Sequence, residues 1–186
     1  TDIRAFYAGP GAIVYMAEDR HVYRMKEDGS EIEQVAPATI AYLCTVSPDG
    51  HWAVVIRPQS PSGVGTTSLE PMSLRGEPSV PLCNNDCAVG PRSFLESPPL
   101  AWSPDGTSVF VKLDYFGKAT PKTAVLPYRS DTSPEMLWPN GLRFEKDVLA
   151  NPGVQIINEE HAFPVAGDGV NTYLAWRLSM QSNIYR

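Results

Sequence analysis

One four-residue motif, Ser-Pro-Asp-Gly, occurs twice in the chain, each time between two stretches that suit β-strands. The copies lie in Thr45–Ile56 (TVSPDGHWAVVI) and Ala101–Lys112 (AWSPDGTSVFVK). Asp-Gly favours tight turns because Gly adopts positive φ without a steric penalty. Val, Ile, Phe and Trp on both sides favour pleated strands. The motif therefore predicts a repeated β-hairpin unit.

The Asp-Gly pairs of the repeats are predicted to be structural turns. They are Asp49-Gly50, Asp105-Gly106 and, in the degenerate copy VAGDGVNTYLAW, Asp168-Gly169. Turn chemistry explains the aspartates, because an Asp side chain bonds the backbone of its own turn. Calcium binding is the alternative for the same carboxylates. A further Asp-Gly pair, Asp28-Gly29, has different surroundings and follows an alternating stretch.

Composition excludes several other classes of protein. The chain has 18 Pro and 14 Gly, and its longest stretches free of both are 12–28 and 170–186, which excludes a bundle of long helices. The longest apolar run, 12–17, is far shorter than the roughly 20 residues of a membrane span. The net charge is −6 and the basic residues are scattered, so no nucleic-acid partner is expected. A hydrophobic content of 42% still allows a sizeable core.

Turn signals divide the chain into four groups of about four short strands each, with approximate bounds 1–36, 37–85, 87–138 and 139–186. The period-two alternation of Val109, Val111 and Leu113 against Phe110 and Lys112 is typical of these strands. The predicted strands are Ile3–Tyr7, Ala12–Ala17, His21–Lys26, Ile32–Val35, Ala41–Val46, Trp52–Arg57, Thr66–Pro71, Ser79–Leu82, Leu100–Trp102, Ser108–Leu113, Ala124–Tyr128, Glu135–Leu137, Gln155–Ile157, His161–Val165, Tyr173–Leu178 and Asn183–Tyr185. One helical turn is allowed within Phe144–Ala150.

Four-stranded units repeated along a chain are typical of β-propellers. The motif SPDG followed by an alternating strand resembles TolB-like propeller repeats, which are relatives of WD repeats. The segment VYRMKEDGS (22–30) resembles the third strand and turn of such a blade. The resemblance covers most of the chain. It implies an all-β propeller with about four four-stranded antiparallel blades.

A narrower resemblance links the chain to the C-terminal propeller region of some bacterial serine/threonine kinases. It involves Tyr23–Glu31, Val46–Val55, Cys83–Cys87, Trp102–Gly106 and Asn183–Arg186. The chain itself has no Gly-rich loop, HRD or DFG motif of a kinase. Because Asn183–Arg186 resembles only the third strand of a final blade, we expect the blades to belong to a larger ring or to pair with a second copy.

The sequence predicts no catalytic, cofactor-binding or metal-binding residue. There is no GxSxG elbow and no HExxH motif. Glu159 and His161 would share one face of a strand, which allows a metal or acid–base role or an ordinary solvated face. We therefore expect a non-enzymatic module that binds a protein or peptide partner. The alternative is an accessory propeller of a peptidase or another enzyme whose catalytic domain lies elsewhere.

Two cysteines lie close together in the polar segment CNNDC. Cys83 and Cys87 can form a local disulfide, remain free thiols or bind a metal, and we predict the disulfide if the domain is exported. Cys44, within the apolar run IAYLC, is expected to be buried.

No targeting signal is present, so the compartment is undetermined, with a periplasmic or extracellular one favoured. The Pro-rich segments 58–65 and 84–99 are binding loops or insertions.

Four tryptophans recur near equivalent positions of the repeats, at Trp52, Trp102, Trp138 and Trp176. Aromatic side chains bury large areas, so we expect them to pack between blades. A ligand-stacking platform is the alternative.

Overall fold

A computed structural model of the chain describes residues 4–36, 38–58, 67–78, 81–84, 100–113, 122–129, 132–133, 145–158, 165–166 and 173–174. These residues form three four-stranded antiparallel sheets, one two-stranded sheet and one short helix. Sheet 1 contains β1 (Arg4–Tyr7), β2 (Ala12–Met16), β3 (Val22–Lys26) and β4 (Glu33–Gln34); sheet 2 contains β5 (Tyr42–Val46), β6 (Trp52–Pro58), β7 (Thr67–Ser73) and β8 (Cys83–Asn84); sheet 3 contains β9 (Leu100–Trp102), β10 (Ser108–Lys112), β11 (Lys122–Pro127) and β12 (Gln155–Asn158); and β13 (Val165–Ala166) pairs with β14 (Tyr173–Leu174).

Each four-stranded sheet is a meander in which the strands lie side by side in chain order. Residues with strong β-propensity form the central strands, such as AIVYM in β2 and SVFVK in β10. The pairing register places Val14 opposite Arg24 in sheet 1 and Val54 opposite Pro71 in sheet 2. Every sheet is therefore built from one continuous part of the chain.

Two apolar clusters hold the three sheets together face to face. Between sheets 1 and 2 lie side chains such as Val14, Val22 and Val55. Between sheets 2 and 3 lie others such as Val54 and Val109. Sheet 2 therefore uses alternate residues of β6 for its two neighbours, because successive side chains of a strand point to opposite faces.

The first strands of the three sheets are neighbours in space. Strand β5 contacts both β1 and β9, and β13 lies against β9. Four-stranded meanders that stack face to face with their first strands together are the blades of a β-propeller. The predicted all-β propeller fold is confirmed.

The number of covered faces differs between the sheets. Strands β5 and β10 are buried at every position, and β6 is buried from Trp52 to Ile56. Strand β2, in contrast, alternates between buried and partly exposed residues. Sheets 2 and 3 are therefore covered on both faces, whereas sheet 1 is covered mainly on one.

Two expected strands differ from those in the structure. The fourth strand of sheet 2 is Cys83–Asn84, whereas Ser79–Leu82 was expected; residues 79 and 80 lie outside the described part of the chain, and the Leu82 N–H donates to the carbonyl of Leu69 (2.8 Å). The segment Gln155–Asn158, expected to open the fourth group, completes sheet 3 by pairing with β11, where Ile156 lies opposite Ala124 and packs against the core.

The expected helical turn is present as α1 (Glu145–Leu149), with Val148 fully buried in the core between sheets 2 and 3. Expected strands Glu135–Leu137 and Asn183–Tyr185 lie outside the described residues. Of the helical segments described, none has the length and apolar character needed to cross a membrane.

Candidate functional site: the turn cleft

The first SPDG motif forms a four-residue turn between β5 and β6. The Ser47 N–H donates to the carbonyl of Trp52 (2.7 Å), and Gly50, at φ 67°, donates its N–H to the carbonyl of Ser47 (2.8 Å). The Asp49 carboxylate accepts the backbone N–H of His51 (3.0 Å) and the Ser47 hydroxyl (2.6 Å). The same hydroxyl oxygen accepts the N–H of Trp52 (2.9 Å). Asp49 and Gly50 thus maintain the turn, with Ser47 at its centre.

The second SPDG motif forms the same turn between β9 and β10. The Ser103 hydroxyl donates to Asp105 (2.6 Å) and accepts the N–H of Ser108 (2.9 Å). Asp105 also accepts the N–H of Thr107 (3.0 Å), and Gly106 has φ 69°. Ser47 and Ser103 are completely buried. The two motifs therefore share one hydrogen-bond network as well as one sequence.

The network favours the charged form of the aspartate in the second turn. Hydrogen bonds from the Ser103 hydroxyl and then from the Thr107 N–H lower the pKa of Asp105, because they stabilise the ionised carboxylate. Within the described part of the chain, neither Asp49 nor Asp105 belongs to a group of three or more metal-ligating side chains.

Sheet 1 places a different sequence at the equivalent position. Between β1 and β2, the segment Ala8–Ala12 (AGPGA) turns with a hydrogen bond from the Ala8 N–H to the Ala12 carbonyl (2.9 Å). A β-carbon on Gly50 would lie 2.4 Å from the carbonyl oxygen of Ala8, and one on Gly106 would lie 3.9 Å from the Pro48 ring. The β1–β2, β5–β6 and β9–β10 turns therefore form a continuous row at one end of the sheets.

A cleft of ≈ 660 Å³ opens between the second and third turns of this row. We call it the turn cleft; its lining residues are Pro48, Asp49, Asp105, Gly106, Thr107, Tyr128 and Arg129. Its volume lies within the range of about 300–1,000 Å³ that is usual for ligand sites. The lining combines two carboxylates, a guanidinium, an aromatic ring and turn backbone, which suits a polar ligand or an extended peptide.

Tyr128 and Arg129 join the cleft through the backbone at the end of β11. The Tyr128 N–H donates to the carbonyl of Thr107 (2.7 Å), and the ring of Tyr128 meets that of Trp102 edge to face, with centroids 5.9 Å apart. Sequence reasoning missed both residues because they follow the third strand of their sheet, about 20 residues beyond the motif. It also missed the roles of Ser47 and Ser103, although the serine that opens both copies of the motif could have indicated them.

The other residues singled out in the sequence are not brought into the turn cleft. Trp52 and Trp102 lie in the core between sheets 2 and 3, as expected for packing between blades. Cys83 lies in strand β8, and Cys44 is buried and forms no disulfide. Asp168, Gly169, Cys87, Glu159, His161, Trp138 and Trp176 lie outside the described residues.

The sheets, their stacking and the row of turns define a β-propeller module. The resemblance to TolB-like propeller repeats is confirmed at the level of the fold. The narrower resemblance to kinase-linked propellers stays a hypothesis.

Comparison with solved structures finds propellers at low sequence identity. TolB of Acinetobacter baumannii is 15% identical (TM-score 0.47, 70% of this chain and 31% of that one), and a protein assigned as TolB from Agrobacterium tumefaciens is 12% identical (TM-score 0.48, 90% and 51%). The β-propeller domain of the trilobed protease from Pyrococcus furiosus is 10% identical (TM-score 0.39, 72% and 41%). The chain thus spans about a third to a half of these chains. No protein-family model and no curated protein matches the sequence.

Proposed function

We propose that the chain is a non-enzymatic β-propeller module that binds a segment of a protein or peptide partner in the turn cleft. The observation that carries the proposal is the cleft itself, which has the volume of a ligand site and lies between two turns of identical construction. Turns held by internal hydrogen bonds change little on binding, so the entropic cost of ordering them during association is small.

The chemistry of the lining supports a peptide as the ligand class. Asp49 and Asp105 present carboxylates that can accept N–H groups, and Arg129 presents a guanidinium that can bind a carbonyl or a carboxylate. The cleft therefore carries both negative and positive side chains, which suits a peptide segment that has both donor and acceptor groups. We also propose a periplasmic or extracellular location, in which the predicted Cys83–Cys87 bond would persist.

Selection from random 12-residue peptides displayed on phage tests this proposal. Peptides enriched on the wild-type chain should bind Arg129→Ala at least about 10-fold more weakly, which corresponds to about 1.4 kcal/mol. Arg75→Ala is the matched control, since Arg75 is an exposed arginine on the β7–β8 turn, and it should bind as the wild type does. Failure to enrich any peptide, or equal binding by both variants, would refute the cleft as the site.

The same peptides test for activity. Hydrolysis needs a nucleophile, a base and an oxyanion site in one place. We expect the peptides to remain intact by mass spectrometry after long incubation with the chain. Cleavage at a defined bond, abolished by a single substitution in this chain, would show an enzyme instead.

A further inference from the structure

The two SPDG aspartates hold their turns with only one of their two carboxylate oxygens. Oδ1 of Asp49 accepts the serine hydroxyl of its motif (2.6 Å) and the N–H of His51 (3.0 Å). Oδ1 of Asp105 accepts the equivalent serine hydroxyl (2.6 Å), the N–H of Thr107 (3.0 Å) and the hydroxyl of Thr107 (2.9 Å). Among the described residues, none donates a hydrogen bond to Oδ2 of either aspartate or forms an ion pair with it. Each turn therefore fixes its carboxylate and leaves Oδ2 to a ligand.

The contact between the two turns brings both carboxylates to the turn cleft. A β-carbon on Gly106 would lie 3.9 Å from the Pro48 ring, and Asp105 and Asp49 are the sequence neighbours of these two residues. Both aspartates are exposed and line the cleft. Of the described lining residues, Arg129 alone carries a positive charge, so two carboxylates stand against one guanidinium. The net charge of −6 of the whole chain acts in the same direction, and the cleft therefore attracts a cationic group.

The rest of the lining suits the stem of a long basic side chain. Pro48 and Tyr128 place ring carbons in the same cleft as the carboxylates. Lys and Arg lay their methylene groups along apolar surface of this kind and keep the charged head at polar groups. An ammonium has three N–H donors and a guanidinium has five, so one head has enough donors for two carboxylates. Arg129 can then bind a backbone carbonyl of the same peptide.

We infer that the turn cleft selects a lysine or arginine side chain of its partner, which Asp49 and Asp105 bind through their Oδ2 atoms. This selectivity rests on the peptide binding proposed above and specifies which residue type the cleft recognises. An acidic residue at the same position is rejected by like-charge repulsion, and a neutral one gains no charge-assisted hydrogen bond. Because the turns hold both carboxylates in place before binding, the preference needs little rearrangement of the chain.

Three phage libraries of equal peptide length test the selectivity. One central position is fixed as Lys, Leu or Glu, and every other position is random but excludes charged residues. When an equal mixture is selected on the wild-type chain, the lysine library should be enriched about 10-fold or more over the leucine library. The glutamate library should not be enriched. Enrichment should decrease as NaCl rises from about 20 to about 500 mM, because salt screens exposed charges.

A change at the head of the lysine separates its charge from its stem. In an enriched peptide, ε-acetyl-lysine keeps the methylene groups but has no positive charge. This peptide should bind no better than the one with leucine at the same position. Equal binding by the lysine and acetyl-lysine peptides would show that the stem alone accounts for the preference, which would overturn the role of the carboxylates.

The substitutions Asp49→Asn and Asp105→Asn separate binding from turn formation. Asparagine keeps Oδ1 as the acceptor that the turn needs, but it removes the charge and replaces Oδ2 with an NH₂ donor. Each variant should bind an enriched lysine peptide about 3- to 10-fold more weakly than the wild type does. Urea unfolding at neutral pH verifies that the variants are folded.

Asp28→Asn is the matched control for both substitutions. Oδ1 of Asp28 likewise accepts the N–H (2.9 Å) and the hydroxyl (2.6 Å) of Ser30, in an Asp-Gly turn. Asp28 is also exposed, but it does not line the turn cleft. This variant should therefore bind the lysine peptide as the wild type does.

The outcomes distinguish this selectivity from peptide binding itself. Equal enrichment of the three libraries, or equal binding by the Asp28, Asp49 and Asp105 variants, would overturn the preference for a basic side chain. If the enriched peptides then still lost affinity in Arg129→Ala, peptide binding in the cleft would hold. Failure to enrich a peptide from any of the libraries would overturn both.

Discussion

Gly50 lies so close to Ala8 that a β-carbon on the glycine would stand 2.4 Å from the carbonyl oxygen and 2.9 Å from the carbonyl carbon of the alanine. Gly50 belongs to the SPDG turn of sheet 2, and Ala8 begins the β1–β2 turn of sheet 1. Because the obstacle is backbone, no side-chain rotation can relieve it. The glycine of the motif therefore serves two purposes at this position, the left-handed turn and the contact between blades.

Substitution of the two equivalent glycines by alanine should separate these purposes. Gly50 and Gly106 have φ values of 67° and 69°, so both changes add the left-handed strain of about 1–2 kcal/mol. A β-carbon at Gly106 has room, whereas one at Gly50 must displace sheet 1. We expect Gly106→Ala to cost about 1–2 kcal/mol and Gly50→Ala about 3 kcal/mol or more in urea unfolding. Equal losses of stability would show that the contact with Ala8 does not matter.

The two buried serines should contribute to stability as hydrogen-bond acceptors. In Ser47→Ala and Ser103→Ala, the N–H groups of Trp52 and Ser108 lose the oxygen that they bond at 2.9 Å in a buried site. Each change should lower the free energy of unfolding by about 1–3 kcal/mol.

Ser30→Ala is the control for the serine substitutions. Ser30 is exposed, and its hydroxyl acts as a donor to Asp28 rather than as the acceptor of a buried N–H. It should change stability by less than about 0.5 kcal/mol. A loss in Ser30→Ala as large as in the two SPDG variants would contradict the role assigned to the buried hydroxyls.

The lowered pKa of Asp105 predicts a pH dependence of stability. A carboxyl whose pKa is lower in the folded state stabilises the fold above its unfolded pKa of about 4, and this contribution disappears as pH falls through the folded pKa. In Asp105→Asn the urea midpoint should therefore fall less between pH 5 and pH 2 than it does in the wild type. An identical acid dependence in both proteins would contradict the effect of the Ser103 and Thr107 hydrogen bonds.

Thiol titration tests the predicted bond between Cys83 and Cys87. Cys44 forms no disulfide and is fully buried, so in the folded state its thiol should not react. After unfolding of protein made under oxidising conditions, one reactive thiol is expected, because the chain has three cysteines. Three reactive thiols would refute the bond. Unfolded protein made under reducing conditions is the reference, because all three of its thiols should react.

Local features of the fold could be predicted from the sequence because they depend on neighbouring residues. The turns at Asp49-Gly50 and Asp105-Gly106 and the strands beside them follow from turn chemistry and period-two alternation. The β1–β2 turn escaped this reasoning, since AGPG at residues 8–11 has neither the Ser nor the Asp of the motif. Its equivalence to the SPDG turns is visible only once Gly50 is seen against Ala8.

Features that depend on distant residues could not be predicted in the same way. Gln155–Asn158 completes sheet 3 although about 27 residues separate it from β11, and nothing in its own four residues specifies that partner. The turn cleft likewise needs Tyr128, which reaches the second SPDG turn through one backbone hydrogen bond to Thr107. Such pairings follow from how the sheets stack, which no short stretch of sequence encodes.

Because each sheet is one continuous part of the chain, spanning 4–34, 42–84 and 100–158, the blades can fold in order as the ribosome releases them. Synthesis at about 5–20 residues per second takes seconds per sheet, whereas hairpins close in about 1–10 µs. Val14 and Val22 of sheet 1 therefore stay uncovered until sheet 2 emerges and buries them. Each newly synthesised blade should thus expose apolar residues until the next blade covers them. Chaperones that bind apolar strands should be needed most during those intervals.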